Sequence, residues 1–315
     1  MSTVIATPAS AEHKQLRKAR PSFFGLLRAE FFKVLHQWTT WILLVLLVGV
    51  MILPYLIEFT VPSIKDQIQQ APLHFFYNEM SIGLSIVRVF TGIFLLIITA
   101  RMIGLEYQLG TIRVLLSRGV GRLQLLFAKL LTVVIIALVL LAAGLVLNYL
   151  LTLILVSSKA GNLTPFNALT SQFWSDTRTY ILTILLNMGV TVLLATTAAV
   201  VGRSLSFGLS AALVFFPIDN VGTIIMQLAY RLTNNDFWLS LTAYFLGPNL
   251  NVMPMPLTSG RAESIGASPL YFVDEAHKAH GVLVDGTHTL VVAAVYAAIF
   301  AVTAIWLTWK REVKE

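Results

Sequence analysis

The sequence predicts an all-α membrane protein: six transmembrane helices preceded by an amphipathic helix lying in the membrane interface. Three observations predict it. Of 315 residues, 57% are hydrophobic and 12% charged, against roughly 25% charged in soluble domains, so too little polar material exists to cover a water-facing surface. Six apolar runs, each bracketed by charged residues, are long enough to cross about 30 Å of hydrocarbon as helices. The Lys and Arg residues between these runs fall mostly in alternate segments, 15 on one side against 6 on the other, in the sense of the positive-inside rule.

Residues 1–21 are small, polar and basic, with Lys14, Arg17, Lys18 and Arg20 ahead of Pro21, and read as a disordered cytoplasmic tail. No short apolar core with a small-residue cleavage site follows these charges, so a cleaved signal peptide is not expected. Residues 22–315 form one membrane domain, since no linker is long enough to divide them. It opens with the interfacial helix, about 22–36. Phe23, Leu26, Leu27, Glu30, Phe31 and Val34 recur at spacings of three and four, and Ser22 can cap the start. Arg28, Glu30 and Lys33 would be costly inside lipid, which favours an interfacial helix over an extension of the first span.

The spans are expected at about 39–58, 82–103, 126–156, 180–202, 207–230 and 288–309. Lys33 and Glu58 bracket the first, Glu79 and Arg101 the second, and Lys129 and Lys159 the third. Arg178 and Arg203 bracket the fourth, Arg203 and Arg231 the fifth, and Asp285 and Lys310 the sixth. With the N-terminus inside, inner segments hold 15 Lys and Arg and outer segments 6. Both termini are therefore expected in the cytoplasm, with the chain in the cell membrane. Trp38, Trp41, Trp306 and Trp309 would all sit at the inner headgroup level.

The connections are unequal. Residues 60–81 read as a short outer loop, 104–124 as a basic inner loop, and 203–207 as a tight inner turn. The largest outer loop, about 232–287, contains Trp238, Tyr244, Phe245 and the Pro-rich Met253-Pro254-Met255-Pro256. Its aromatic part reads as one or two short re-entrant helices, followed by an irregular cap. No internal repeat or inverted symmetry is visible.

Cysteine is absent, which excludes a disulfide framework, thiolate metal sites and a cysteine nucleophile. The net charge of +7 sits between apolar runs and is read as topogenic; no nucleic-acid partner is expected, only membrane lipid.

The inner loop carries the most information. Glu106 stands just past the second span, and Gly110-Thr111 breaks that helix, with Thr111 able to cap the next one. Residues 112–116 then form a short helix ended by Gly119 and Gly121, and Arg122 and Lys129 mark re-entry. A short, rigid helix held between two spans suits transmitting force from a soluble partner. The plain alternative is a basic loop that only sets topology.

The pattern Glu106-x3-Gly110-Thr111-x-Arg113-x-Leu115-Leu116-Ser117, with Arg118, Arg122 and Lys129 beyond, resembles the signature of ABC-2 type transporter permeases. The likeness extends to the interfacial helix, the six spans and the large last outer loop. It departs in having glycines where many members carry proline near residues 118–120. The resemblance implies an ABC-2 (type V exporter-like) transmembrane domain, the permease subunit of an ATP-binding cassette exporter. It implies Glu106, Gly110, Thr111, Arg113, Arg118 and Arg122 as the ATPase-coupling element, and two permease subunits, identical or different, with two ATPase subunits. The chain carries no G-x-x-x-x-G-K-[ST] sequence, so ATP and Mg are expected on the partner, with no cofactor and no catalysis in this chain.

Two charges fall within spans: Arg88 in the second, and Asp219, after Pro217, in the fifth. An unpaired charge at mid-bilayer costs at least about 2.5 kcal/mol. Either they line a translocation path, paired or wetted, or Arg88 snorkels outward and Asp219 faces a protein-filled kink. Asn148 and Asn187 read as hydrogen-bonding glue between spans. His277 and His280 share a spacing that can hold a metal, but a solvated loop is the commoner origin of such a pair and no metal is assigned.

Other function classes are weaker. An intramembrane enzyme finds only a faint echo in Gly208-Leu209-Ser210 and has no intramembrane histidine to activate the serine. An ion-coupled secondary transporter would normally show more buried carboxylates and repeat symmetry. The substrate class expected from the short outer loops is a small hydrophobic compound or peptide.

Overall fold

The computed structural model describes residues 22–258 and 284–310. Among them the chain runs α1 (Phe23–Leu35), α2 (Trp38–Thr60), α3 (Ser63–Gln70), α4 (Pro72–Gln108), α5 (Thr111–Ser117) and α6 (Arg122–Ala160). A 3-10 turn (Thr164–Ala168) leads to α7 (Ser171–Gly202) and α8 (Leu205–Thr233), then α9 (Phe237–Thr242), α10 (Leu246–Val252), α11 (Pro254–Leu257) and α12 (Gly286–Lys310). Helices α2, α4, α6, α7, α8 and α12 are long and apolar enough to cross a membrane, and each contains one of the six expected spans. The tail, Arg261, and the acidic and histidine residues 274–280 lie outside the described residues.

Helix α1 forms where the spacing placed it. The Ser22 hydroxyl accepts the Gly25 N–H at 3.0 Å. Its face of Phe23, Leu26, Leu27, Glu30, Phe31 and Val34 is the more covered one, with Glu30 and Val34 buried. That face packs chiefly on α6. Phe24, Phe32 and Leu35 on the other side are 78%, 62% and 53% exposed and are left for lipid.

Two expectations are corrected at the second span. Residues 60–81 are not a loop: α3 occupies the first half and α4 begins at Pro72. Glu79 is therefore two turns inside α4 and 3% exposed. Helix α4 has 37 residues and α6 has 39, so each is about 55–60 Å long and stands well beyond the hydrocarbon. Apolarity marks only the part of a helix that meets lipid. The extension of α4 is instead held by protein: Phe75 is buried, and Phe76 and Tyr77 are buried against Phe166 and Phe173. The Tyr77 hydroxyl donates to Asp176 at 2.8 Å.

The two most buried spans are α4 and α7, and they pack on each other. Lipid tails are as apolar as leucine, so close packing and interhelical hydrogen bonds replace the hydrophobic drive. Tyr180 and Ser85 pair at 2.7 Å, joining α7 to α4. The Asn148 amide donates to Tyr55 at 3.0 Å, joining α6 to α2. Asn187 instead accepts from Thr191 of its own helix, at 3.5 Å. Backbones meet most closely at α8. A Cβ on Gly208 would lie 2.7 Å from Ala199 Cα, and one on Gly104 would lie 2.9 Å from Leu205 Cα.

The end of α12 returns to α5: Leu307 and Thr308 share a small cavity with Arg113 and Arg203. The even number of crossings thus brings α1, α5 and the end of α12 to one side. Three short helices, α9 to α11, follow α8 where one or two were expected. His288 ties the start of α12 to them, its Nε2 lying 2.8 Å from the Ala243 carbonyl.

Candidate functional site

At the α1 side, the loop between α4 and α6 is a discrete unit. Gly110 takes the left-handed conformation, φ 68°, and is the N-cap of α5. Thr111 is not the cap expected from the sequence; it is the first helical residue, and its hydroxyl points back to the Glu106 carbonyl at 3.4 Å. The physical reason is that the sharp exit from α4 needs φ above zero, which glycine adopts without strain. Helix α5 is seven residues long with none buried. Val114 is 51% exposed, and Arg113, Ser117 and Arg118 are also exposed. Arg113 and Arg122 line a cavity of about 100 Å³ together with Tyr107, Leu116, Arg203 and Thr308.

The base of this loop is fixed by four charges. Glu106 accepts from Lys33 at 2.7 Å and Lys129 at 2.9 Å. Glu30 accepts from the same two lysines, at 2.6 Å and 2.9 Å. Lys129 also donates to the Met102 carbonyl at 2.8 Å. Two cations and two anions balance, which allows Glu30 at 2% and Lys129 at 5% side-chain exposure to be buried without an uncompensated charge. Burial alone would lower the Lys33 ammonium; hydrogen bonds to Glu106 and Glu30 outweigh it and hold it above the ordinary lysine value of 10.5. Lys33 of α1 thus anchors Glu106, while Arg28 of the same helix is exposed. Sequence reasoning took Lys129 as a boundary marker and a member of the loop pattern but missed its role in bracing Glu106 and Glu30. A lysine within the opening turns of an apolar helix was the available signal.

A second constellation lies 18 residues back along α4 from Glu106, about 27 Å at 1.5 Å per residue. Arg88 is 1% exposed, so it does not snorkel. Its Nη1 donates to the carbonyls of Leu250 at 2.7 Å and Asn251 at 3.3 Å, in the last turn of α10. Asp219 accepts the Gly247 N–H in the first turn of that helix. Arg88 and Asp219 therefore do not pair with each other, as one reading of the sequence had them. The cation meets the carbonyl end of α10 and the carboxylate meets its N–H end, each where the helix dipole favours it. Sequence could not show this, because both partners are backbone groups.

Arg88, Asn187, Thr191, Asn220 and Asn251 supply the polar lining of a cavity of about 390 Å³ between α4, α7, α8 and α10. Asp219 is one residue from Asn220 but is not among the residues that line the cavity. Among the described residues no group of three or more metal-ligating side chains occurs.

No curated protein and no solved structure matches the chain. A family model described as ABC-2 family transporter protein matches residues 26–219. That stretch runs from α1 through the loop with its charged base to Asp219, and takes in Arg88. It covers well over half of the sequence, and the chain accordingly belongs to the ABC-2 family of transporter proteins.

Proposed function

We propose that this permease is the membrane subunit of an ABC exporter, driven by a separate ATPase that docks on α5. The observation that carries the reading is the braced loop: a helix with no buried residue whose base is locked to α1 and α6 by four charges. A push on such a helix moves α4 and α6 as levers, because it cannot be absorbed by a slack connection. In the working unit two permease subunits, identical or different, form the path and two ATPase subunits bind ATP and Mg. The α1 side faces the cytoplasm of a cell membrane, with both termini there, in keeping with the excess of Lys and Arg on that side. The cavity at Arg88 is the candidate translocation path, and the cargo is a small hydrophobic compound or peptide.

Arg113→Ala removes an exposed charge from α5, and Glu106→Ala removes the bracing. Losing one partner of a buried, hydrogen-bonded charge pair at an interface costs about 2–5 kcal/mol, well over tenfold in affinity. Both variants are expected to lose the ATPase on copurification, or to leave its hydrolysis uncoupled from transport, while still inserting. Wild-type copurification and transport in both would rule out α5 as the coupling element.

A further inference from the structure

The cavity between α4, α7, α8 and α10 also bears on what is carried, an inference that rests on reading it as the translocation path. Its charged lining is one-sided. Arg88 lies in its wall at 1% exposure, and no acidic side chain is among the lining residues. The carboxylate nearest in sequence, Asp219, is turned onto the Gly247 N–H. The Asn187 carboxamide stands near Gly92, one turn along α4 from Arg88: a Cβ at Gly92 would lie 3.9 Å from its oxygen. Most of the remaining wall is apolar, with Val89, Ile93, Leu96, Leu213 and Phe216. The volume of about 390 Å³ falls within the 300–1,000 Å³ of small-molecule sites.

The acceptors that Arg88 meets in α10 are neutral carbonyls, at 2.7 Å and 3.3 Å. An ionised oxyanion is a stronger acceptor for a guanidinium than a carbonyl, and in a low-dielectric wall the difference grows. A ligand cation there would meet a like charge, a repulsive element that selects against cationic cargo.

We propose that this cavity binds a single-chain amphiphile with a carboxylate head. The head sits at Arg88, with the Asn187 carboxamide beside it, and the tail lies along Val89, Ile93, Leu96 and Phe216. By taking the Arg88 donor, the carboxylate releases the Leu250 and Asn251 carbonyls and loosens the end of α10. Loading the site and freeing the short helix that covers it are then one exchange of hydrogen bonds.

The test is a fluorescence titration of the purified full chain in phosphatidylcholine nanodiscs. The probes are dansyl-labelled undecanoic acid and its primary amide, equal in length and differing in charge. The acid is expected to bind at least about tenfold more tightly than the amide, the loss typical of one charge-assisted hydrogen bond. Arg88→Gln should erase that preference while leaving amide binding in place. Leu96→Trp, which fills the apolar wall, should weaken both probes. Equal binding of acid and amide by the wild-type chain overturns the proposal, even where Arg88→Gln fails to fold. A preference that survives Arg88→Gln in a folded protein overturns it too. Adding phosphatidylglycerol to the nanodisc should leave the acid's affinity unchanged; competition by that lipid would make this a phospholipid site and refute the assignment. The titration needs no ATPase, so it succeeds or fails independently of whether α5 is the coupling element.

Discussion

Lys129→Met should be far more damaging than Lys33→Met, although both lysines bridge the same two carboxylates. The Lys129 side chain is 5% exposed and the Lys33 side chain 43%. Removing Lys129 deletes three donated hydrogen bonds, to Glu30 and Glu106 at 2.9 Å and to the Met102 carbonyl at 2.8 Å. It leaves Glu30, 2% exposed, and Glu106 sharing one remaining cation. Breaking a buried ion pair on one side costs about 3–5 kcal/mol; part of the group is wet, so the lower end, about 3 kcal/mol, is expected. Removing Lys33 leaves Lys129 between the two carboxylates and admits water on the open side, so the loss should be about 1 kcal/mol, the scale of an exposed pair. The double variant Lys129→Met with Glu30→Gln restores neutrality and should be less destabilised than the sum of its parts. Equilibrium unfolding in mixed SDS and dodecyl maltoside micelles, read by tryptophan fluorescence, measures all three. Equal losses for the two lysines, or additivity in the double variant, would refute the argument that burial and charge balance set the strength of this group.

The raised Lys33 ammonium contributes stability that is fully present below pH 10.5 and is lost as pH rises through its higher folded value. The difference in stability between wild type and Lys33→Met should therefore be flat between about pH 6 and 9 and shrink only in strong alkali; a change near neutrality would be inconsistent with it. Gly208→Ala places a methyl 2.7 Å from Ala199 Cα, whereas Gly49→Ala meets nothing within 4 Å. The first should cost about 1–3 kcal/mol and the second should be neutral or stabilising, and the same unfolding assay separates them. Because the chain has no cysteine, Arg118→Cys creates a unique label site at the C-cap of α5. An impermeant maleimide should reach it only after cells are opened, and labelling of intact cells would reverse the proposed orientation.

The spans were legible because lipid contact demands apolarity along their length, and α1 because its covered face repeats at helical spacing. What could not be read depends on contact between distant parts. Glu79 looked like a boundary, but aromatic packing against α7 carries α4 past it. Thr111 looked like a cap, but chain direction gave that position to Gly110. The Glu106–Lys33 bridge was within reach of sequence reasoning because both residues are conspicuous charges beside spans. Lys129 was conspicuous too, yet nothing in the sequence says that it turns to Glu30 and Glu106 at once. The carbonyl partners of Arg88 carry no side-chain signature at all, and only a folded α10 brings them to it.

The charged group at the loop base also imposes an order in time. Lys129 follows Glu30 by 99 residues, which at about 5–20 residues per second of synthesis is a wait of roughly 5–20 s. During that interval Glu30 has its near neighbour Lys33, three residues away, as a provisional mate at the water boundary. Burial of Glu30 becomes affordable only when α6 delivers the second ammonium. Arrival of the third long helix in the bilayer is thus the event that clamps the start of the chain to the bundle. A nascent chain arrested before residue 129 should leave a cysteine at Phe24 or Val34 equally open to a maleimide, and one arrested after α6 should protect position 34, which is 1% exposed in the folded chain, but not position 24.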